Sequence, residues 1–264
     1  MLGFFIIIVC GVVAAAFSTR EWGTGWGMTC GVLGVLLAWA VLGMLLRRRI
    51  AARQQRVQEI MQAAQIKANR QIEMFQRRPP SSEKAARQIL EKIQFDAVRG
   101  ALAELEKFRV FYKWNLMLPK QINAMKVQLY YQLREYGKVD ELIPKSFLFD
   151  VQSVAIRLAR LYRRNDAALD KVYRSGVRRF KGDNRAFLAS VYAWMKVKQD
   201  QPQAALQALL DSKNTSDNPV MMENIERLTN GKVKHYSNSG FGDIWYALAL
   251  EEPKVRAQRQ QRGF

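Results

Sequence analysis

Two apolar stretches open the chain, residues 2–17 and 28–46, and neither contains a charged side chain. At 1.5 Å rise per residue the second makes a helix of about 28 Å, the thickness of a bilayer's hydrocarbon core. The first gives only about 24 Å, and spans either by recruiting Ser18 and Thr19 or by thinning the bilayer locally. A cleaved secretory signal is the competing reading for this stretch, but the positively charged region that opens such signals is missing. Beyond residue 46 the pattern narrows. Ile50, Val57, Met61, Ala64, Ala68, Ile72 and Phe75 recur at helical intervals and leave one thin apolar seam with basic and glutamine-rich flanks. Pro79 and Pro80 end that helix, and Ser81 and Ser82 offer an N-cap to the next. From there to about residue 252 the helical period dominates and strand-like alternation is nearly absent. The predicted fold class is therefore all-α, with four parts: a two-helix transmembrane hairpin (1–46), a long basic helical stalk (47–80), a helical repeat domain (81–252) and a basic disordered tail (253–264).

Charge orients the hairpin. The connection at 18–27 holds Arg20 and Glu21 and is neutral, whereas Arg47, Arg48, Arg49, Arg53 and Arg56 follow the second stretch. The positive-inside rule then keeps both termini cytoplasmic and predicts a multi-pass protein of a bacterial inner membrane. Trp22 and Trp26, with Trp39 toward the other side, suit the two aromatic belts. Gly11 with Ala15, and Gly27 with Gly31, are small-residue pairs that permit close helix contact, although such residues are also simply common in membrane helices. The formal net charge is +19, of which residues 1–46 contribute nothing and residues 47–78, with nine Lys or Arg against Glu59 and Glu73, contribute +7. A basic face beside an anionic leaflet gains about 1 kcal/mol per Lys or Arg held near the surface. Solubility and topology cover much of the excess, and no module that reads nucleic acid is visible. The stalk seam is open to three uses: pairing with a second copy as a homodimer, lying on anionic lipid, or plain extension into water.

Longer-range periodicity appears after residue 82. Helix starts are predicted near Lys84, Pro119, Asp150, Asn184 and Asp217, with second helices near Asp96, Lys138, Asp166, Pro202 and Asp243. Two stretches carry the pattern best. Residues 129–139 include Tyr130, Gly137, Lys138 and Val139, and residues 200–210, which include Pro202, Ala204 and Ala205, run on to Asp217, Asn218 and Pro219. In these the chain resembles the tetratricopeptide-repeat family, with Tyr130 as the aromatic of the first helix and Val139 and Ala204 or Ala205 as the small residue where the helices of a pair cross. The family's Trp-Leu-Gly signature is absent. The resemblance implies a solenoid of stacked helix pairs whose concave groove binds a protein partner. Arg157, Arg160 and Arg164 share one helical face and are the groove-side candidates for gripping carboxylates, with a plainly solvated face as the alternative.

Nothing in the chain predicts chemistry. Its two cysteines, Cys10 and Cys30, lie in the apolar stretches, and Cys10 follows Ile7, Ile8 and Val9 rather than the small residues that precede a lipidated cysteine. The soluble part has no cysteine and one histidine, His235, which excludes disulfides and ordinary zinc sites there. Ser237 and Ser239 near His235 sit in no strand–turn–helix elbow. The surrounding glycines lack the spacing of a phosphate cradle and read as a connection into a last helix capped by Asp243. No catalytic residue, cofactor or metal is expected. The sequence points to a non-catalytic, membrane-anchored adaptor, with an electrostatic membrane-surface module or a nucleic-acid tether, through the basic stalk and tail, as the alternatives.

Overall fold

The computed structural model describes residues 2–22, 24–80 and 82–252. The predicted tail at 253–264, Ser81, and the side chains of Trp22, Trp26, Gly27 and Cys30 lie outside the described residues. Every regular element among the described residues is helical: α1 (Leu2–Trp22), α2 (Thr24–Arg77), α3 (Glu83–Glu106), α4 (Leu118–Gln132), α5 (Tyr136–Leu142), α6 (Val151–Arg163), α7 (Leu169–Val177), α8 (Gly182–Lys198), α9 (Pro202–Lys213), α10 (Pro219–Thr229) and α11 (Asp243–Tyr246). The chain divides into two compact units, Met1–Phe147 and Leu148–Phe264.

In the first unit α1 and α2 lie antiparallel. A Cβ on Gly31 would stand 2.9 Å from the Cβ of Ala15, and one on Gly34 would stand 2.9 Å from that of Ala14, so the crossing needs small residues on both helices. The contact set is Gly11, Ala14 and Ala15 against Gly31, Gly34 and Val35. The expected connection at 18–27 is helical at all its described positions. Within α1, Thr19 keeps its hydroxyl satisfied by donating back to the carbonyls of Ala15 and Ala16, at 3.0 and 2.9 Å. α2 is long and apolar enough to cross a membrane, and only 6% of its apolar window is buried within the protein, whereas a core helix is mostly buried. α1 supplies a shorter apolar helix, Ile8–Phe17.

No break separates the apolar part of α2 from the stalk. The same helix continues to Arg77, and its seam is covered by its own chain: Ile50, Val57 and Met61 join Val98, Leu102 and Leu105 of α3 and Leu118 and Ile122 of α4 in one core. That half of the seam is thus occupied, whereas Ile72 farther along stays exposed. Ser82 caps α3 as expected, accepting from the Ala85 N–H at 3.1 Å. A second helix starting near Asp96 does not exist. α3 runs unbroken for 24 residues, because Asp96 faces solvent while Ala97, Val98, Ala101, Leu102 and Leu105 continue one buried stripe past it.

First helices begin at Leu118, Val151, Gly182 and Pro219, close to the positions read from the sequence; the first three lead into a second helix that packs on them, whereas α10 leads into a longer connection. One turn geometry recurs at the end of each first helix. Arg134 (φ 60), Asn165 (φ 50), Asp200 (φ 56) and Gly231 (φ 68) are left-handed, and the residue after each donates back to the carbonyl five positions earlier, from Glu135 to Tyr130, Asp166 to Leu161, Gln201 to Lys196 and Lys232 to Arg227. These are Schellman caps, which turn the chain sharply enough to lay a second helix beside the first. Only one of the four uses the residue that adopts such a backbone freely. Replacing the exposed Arg134 by glycine is therefore expected to raise stability by about 0.5–1 kcal/mol, read as a higher urea midpoint with unchanged slope.

α8 is the centre of the second unit and is buried on all sides, through Phe187, Leu188, Val191, Trp194 and Met195. The last element differs from expectation. α11 is a single turn of four residues, and Gly242, not Asp243, sits at its N-cap with φ 63. Around and beyond this turn the chain packs inward, with Trp245 and Leu248 fully buried and Leu250 nearly so.

Candidate partner-binding surface

Asp150 starts α6 by accepting from the Ser153 N–H at 2.8 Å, which fixes the register of the arginines along the helix. Val154, Ala155, Leu158 and Ala159 face the core, and Arg157, Arg160 and Arg164 share another side of the helix, where Ser153 and Ile156 are also buried. Arg157 and Arg160 are half-buried and Arg164 is exposed at the C-cap. The fourth arginine, Arg163, serves the chain itself by donating to the Ala249 carbonyl at 2.8 Å, and Gln152 reaches the Ile244 carbonyl at 3.4 Å. One flank of α6 thus holds the C-terminal segment, and Arg157, Arg160 and Arg164 lie along another.

Behind α6, the pairs α7 with α8 and α8 with α9 are joined by an aromatic and ionic cluster. The rings of Tyr173 and Tyr192 stack with centroids 3.8 Å apart. Asp170 accepts from the Tyr192 hydroxyl at 2.9 Å and from the Lys196 ammonium at 2.8 Å, and Lys196 also donates to Gln201 at 3.2 Å. Burial pushes the Tyr173 hydroxyl up to about 12. Burial alone would raise the Asp170 carboxyl too, but Lys196 and Tyr192 donate into it and hold it below its ordinary value. A depressed carboxyl contributes stability above its unfolded pKa, and that contribution is lost as pH falls through the folded value. Because Asp170 is about half exposed, the effect is expected to be no more than about 1 kcal/mol. Asp170→Asn should flatten the acid limb of a stability–pH curve below pH 4 while leaving the fold intact at neutral pH.

The glycine-rich connection is held by hydrogen bonds to α8 and α10. The Asn224 amide pairs with the backbone of Ser237 in both directions, at 2.9 and 3.1 Å. Asn238 and the Tyr236 hydroxyl both donate to the Ser190 carbonyl, each at 2.9 Å. Ser237 donates to Ser239 at 2.9 Å, while His235 lies exposed on the 3₁₀ turn Val233–His235 with no hydrogen bond to either serine. A shallow depression beside it is lined by Glu223, Glu226, Arg227, Asn230, Lys232 and His235, and there Glu223 is already paired with Arg227. Among the described residues, no group of three His, Cys, Asp or Glu side chains stands where it could hold a metal ion.

No family model, curated protein or solved structure matches this chain. Its surfaces must therefore speak for themselves. The structural residue with least warning in the sequence is Glu251. Its two carboxylate oxygens accept from the indole N–H groups of Trp194 at 3.0 Å and Trp245 at 3.1 Å, whose rings meet edge to face at 5.4 Å. An acid two residues before a proline, at the end of an apolar run, carries no spacing that predicts this. The only hint is the excess of buried-type aromatics, two tryptophans fifty-one positions apart, each of which needs an acceptor once buried.

Proposed function

We propose that this chain is a non-catalytic adaptor, anchored in a bacterial inner membrane by a two-helix hairpin with both termini cytoplasmic, and that its tetratricopeptide-like helix pairs bind a protein partner. The observation that carries the reading is the continuity of α2. A single helix holds the apolar window, the arginines Arg47, Arg48 and Arg49, and the seam that forms one wall of a packed helical core. Within the first unit the anchor and the α3–α4 core are thereby coupled without a flexible joint. The four repeated Schellman turns favour the repeat reading, since a solenoid needs the same reversal in every unit. Arg157, Arg160 and Arg164 are the proposed contact residues for acidic groups of the partner.

Two reporters, one active only in the cytoplasm and one only outside it, fused after residue 80 and after residue 264, test the topology. Cytoplasmic activity at both positions is the expected result. A photo-crosslinking residue at position 157 of the full chain, expressed in intact cells, should give a discrete protein adduct that Arg160→Glu with Arg164→Glu removes. External activity at residue 80, or an adduct indifferent to that charge reversal, would count against the adaptor.

A further inference from the structure

We propose that the segment from Arg109 to Met117 is a second membrane contact, docked on the anionic surface beside the point where α2 leaves the bilayer; this rests on the reading of α2 as a membrane-spanning helix. α2 and α3 run antiparallel in a register fixed at two points: Arg53 lies 3.8 Å from Glu104, and a Cβ on Gly100 would lie 3.5 Å from the Ile60 side chain. From Glu104 the chain advances along α3 and then through the 3₁₀ turn Lys107–Phe111. At 1.5 and 2.0 Å per residue that advance is about 12 Å, the rise of about eight residues back along α2 from Arg53. The turn therefore ends level with the last apolar residues of α2. The core agrees, because Phe108 and Phe111 are buried in the cluster that Leu46 and Ile50 join.

The outer side of the segment is unusual for a turn in water. Val110 and Leu116 are each 69% exposed and Met117 is 51% exposed. Asn115 fixes the backbone just after Leu116, its side-chain oxygen accepting from the N–H groups of Met117 at 2.9 Å and Leu118 at 3.2 Å. Arg109 and Lys113 are exposed in the same segment, Arg109 near the level of Arg47 by the same register. Apolar side chains flanked by cations, at the height where a spanning helix meets the headgroups, fit a bilayer carrying anionic lipid better than they fit water. Continuity with the apolar face of α2, where Val41, Met44 and Leu45 are also exposed, selects lipid over a protein partner. Two contacts on one rigid unit would fix the tilt of the stalk, which one helix alone leaves free.

Spin labels on the full chain test this. In a background with Cys10→Ala and Cys30→Ala, single cysteines replace Val110, Leu116, Leu37 or Lys84, and the protein is reconstituted into vesicles of phosphatidylcholine and phosphatidylglycerol in a ratio of about 7:3. Collision rates with oxygen, which partitions into lipid, and with a water-soluble nickel chelate report where each label sits. Leu37 is the membrane control, and Lys84 is the water control at the far end of α3. The expected result is a several-fold higher oxygen-to-nickel ratio at positions 110 and 116 than at 84, approaching that at 37. A label at 37 in lipid with labels at 110 and 116 in water overturns the docking alone. A label at 37 in water overturns the spanning helix and the docking with it. Labels at 110 and 116 shielded from both reagents would mean that protein covers the segment, which also overturns the proposal.

Discussion

Trp245→Ala is expected to destabilise the second unit by about 3–5 kcal/mol, the range for emptying a large buried aromatic site. Trp245 is fully buried, packs edge to face on Trp194, and gives its indole N–H to Glu251. Removing it opens a cavity beside α8 and leaves Glu251 with one of its two donors. Hydrogen exchange of the α8 amides in the full, detergent-solubilised chain checks the prediction. A loss of about 3 kcal/mol or more would speed exchange by a factor above roughly 100. Trp245→Phe separates the two contributions. It keeps most of the ring contact and loses the hydrogen bond, so a cost of about 1–2 kcal/mol is expected. If Trp245→Phe proved as damaging as Trp245→Ala, the Glu251 bridge rather than ring packing would be holding the C-terminal segment in place.

This bridge also marks the boundary of what the sequence discloses. Helix starts at Leu118, Val151, Gly182 and Pro219 are visible because Pro, Asp or Asn stands beside each of them and an apolar stripe comes next. Ser82 and Asp150 are legible as caps for the same local reason. Reversals between helices are harder to see. Three of the four Schellman turns place Arg134, Asn165 or Asp200 where glycine would be the signal, so the turns are visible only in the backbone. The expected helix start near Asp96 is wrong because a good capping residue caps nothing when a buried stripe continues past it. Partnership across distance is least legible of all. The face shared by Arg157, Arg160 and Arg164 can be read from spacing, but that Arg163 beside them is spent on the Ala249 carbonyl cannot. Likewise, the stalk seam reads as an unpaired stripe until α3 is seen to cover it.

That cover sets the second large effect. Phe108→Ala is expected to cost about 3–5 kcal/mol in the first unit, since its ring is fully buried and lies in the core that joins Leu46, Ile50 and Val57 of α2 to Leu105 of α3 and Leu118 of α4. Amides in the last turn of α3 and the first turn of α4 should exchange fastest. The ring closes the core at the Leu46–Ile50 end of the seam, and its loss loosens the cover from there. A seam of Ile50, Val57 and Met61 with basic flanks is the pattern of a short coiled coil, and in the native chain its own α3 occupies it. Once that cover loosens, the stripe becomes available to a second copy, and a parallel pair of α2 helices held in one membrane would meet at high effective concentration. Sedimentation in mild detergent should therefore show concentration-dependent dimers of Phe108→Ala at levels where the native chain stays unassociated through this half of the seam. Adding Val57→Lys to Phe108→Ala places a charge in the middle of the stripe and should abolish those dimers without restoring stability. Dimers that survive Val57→Lys would have to form through some other surface.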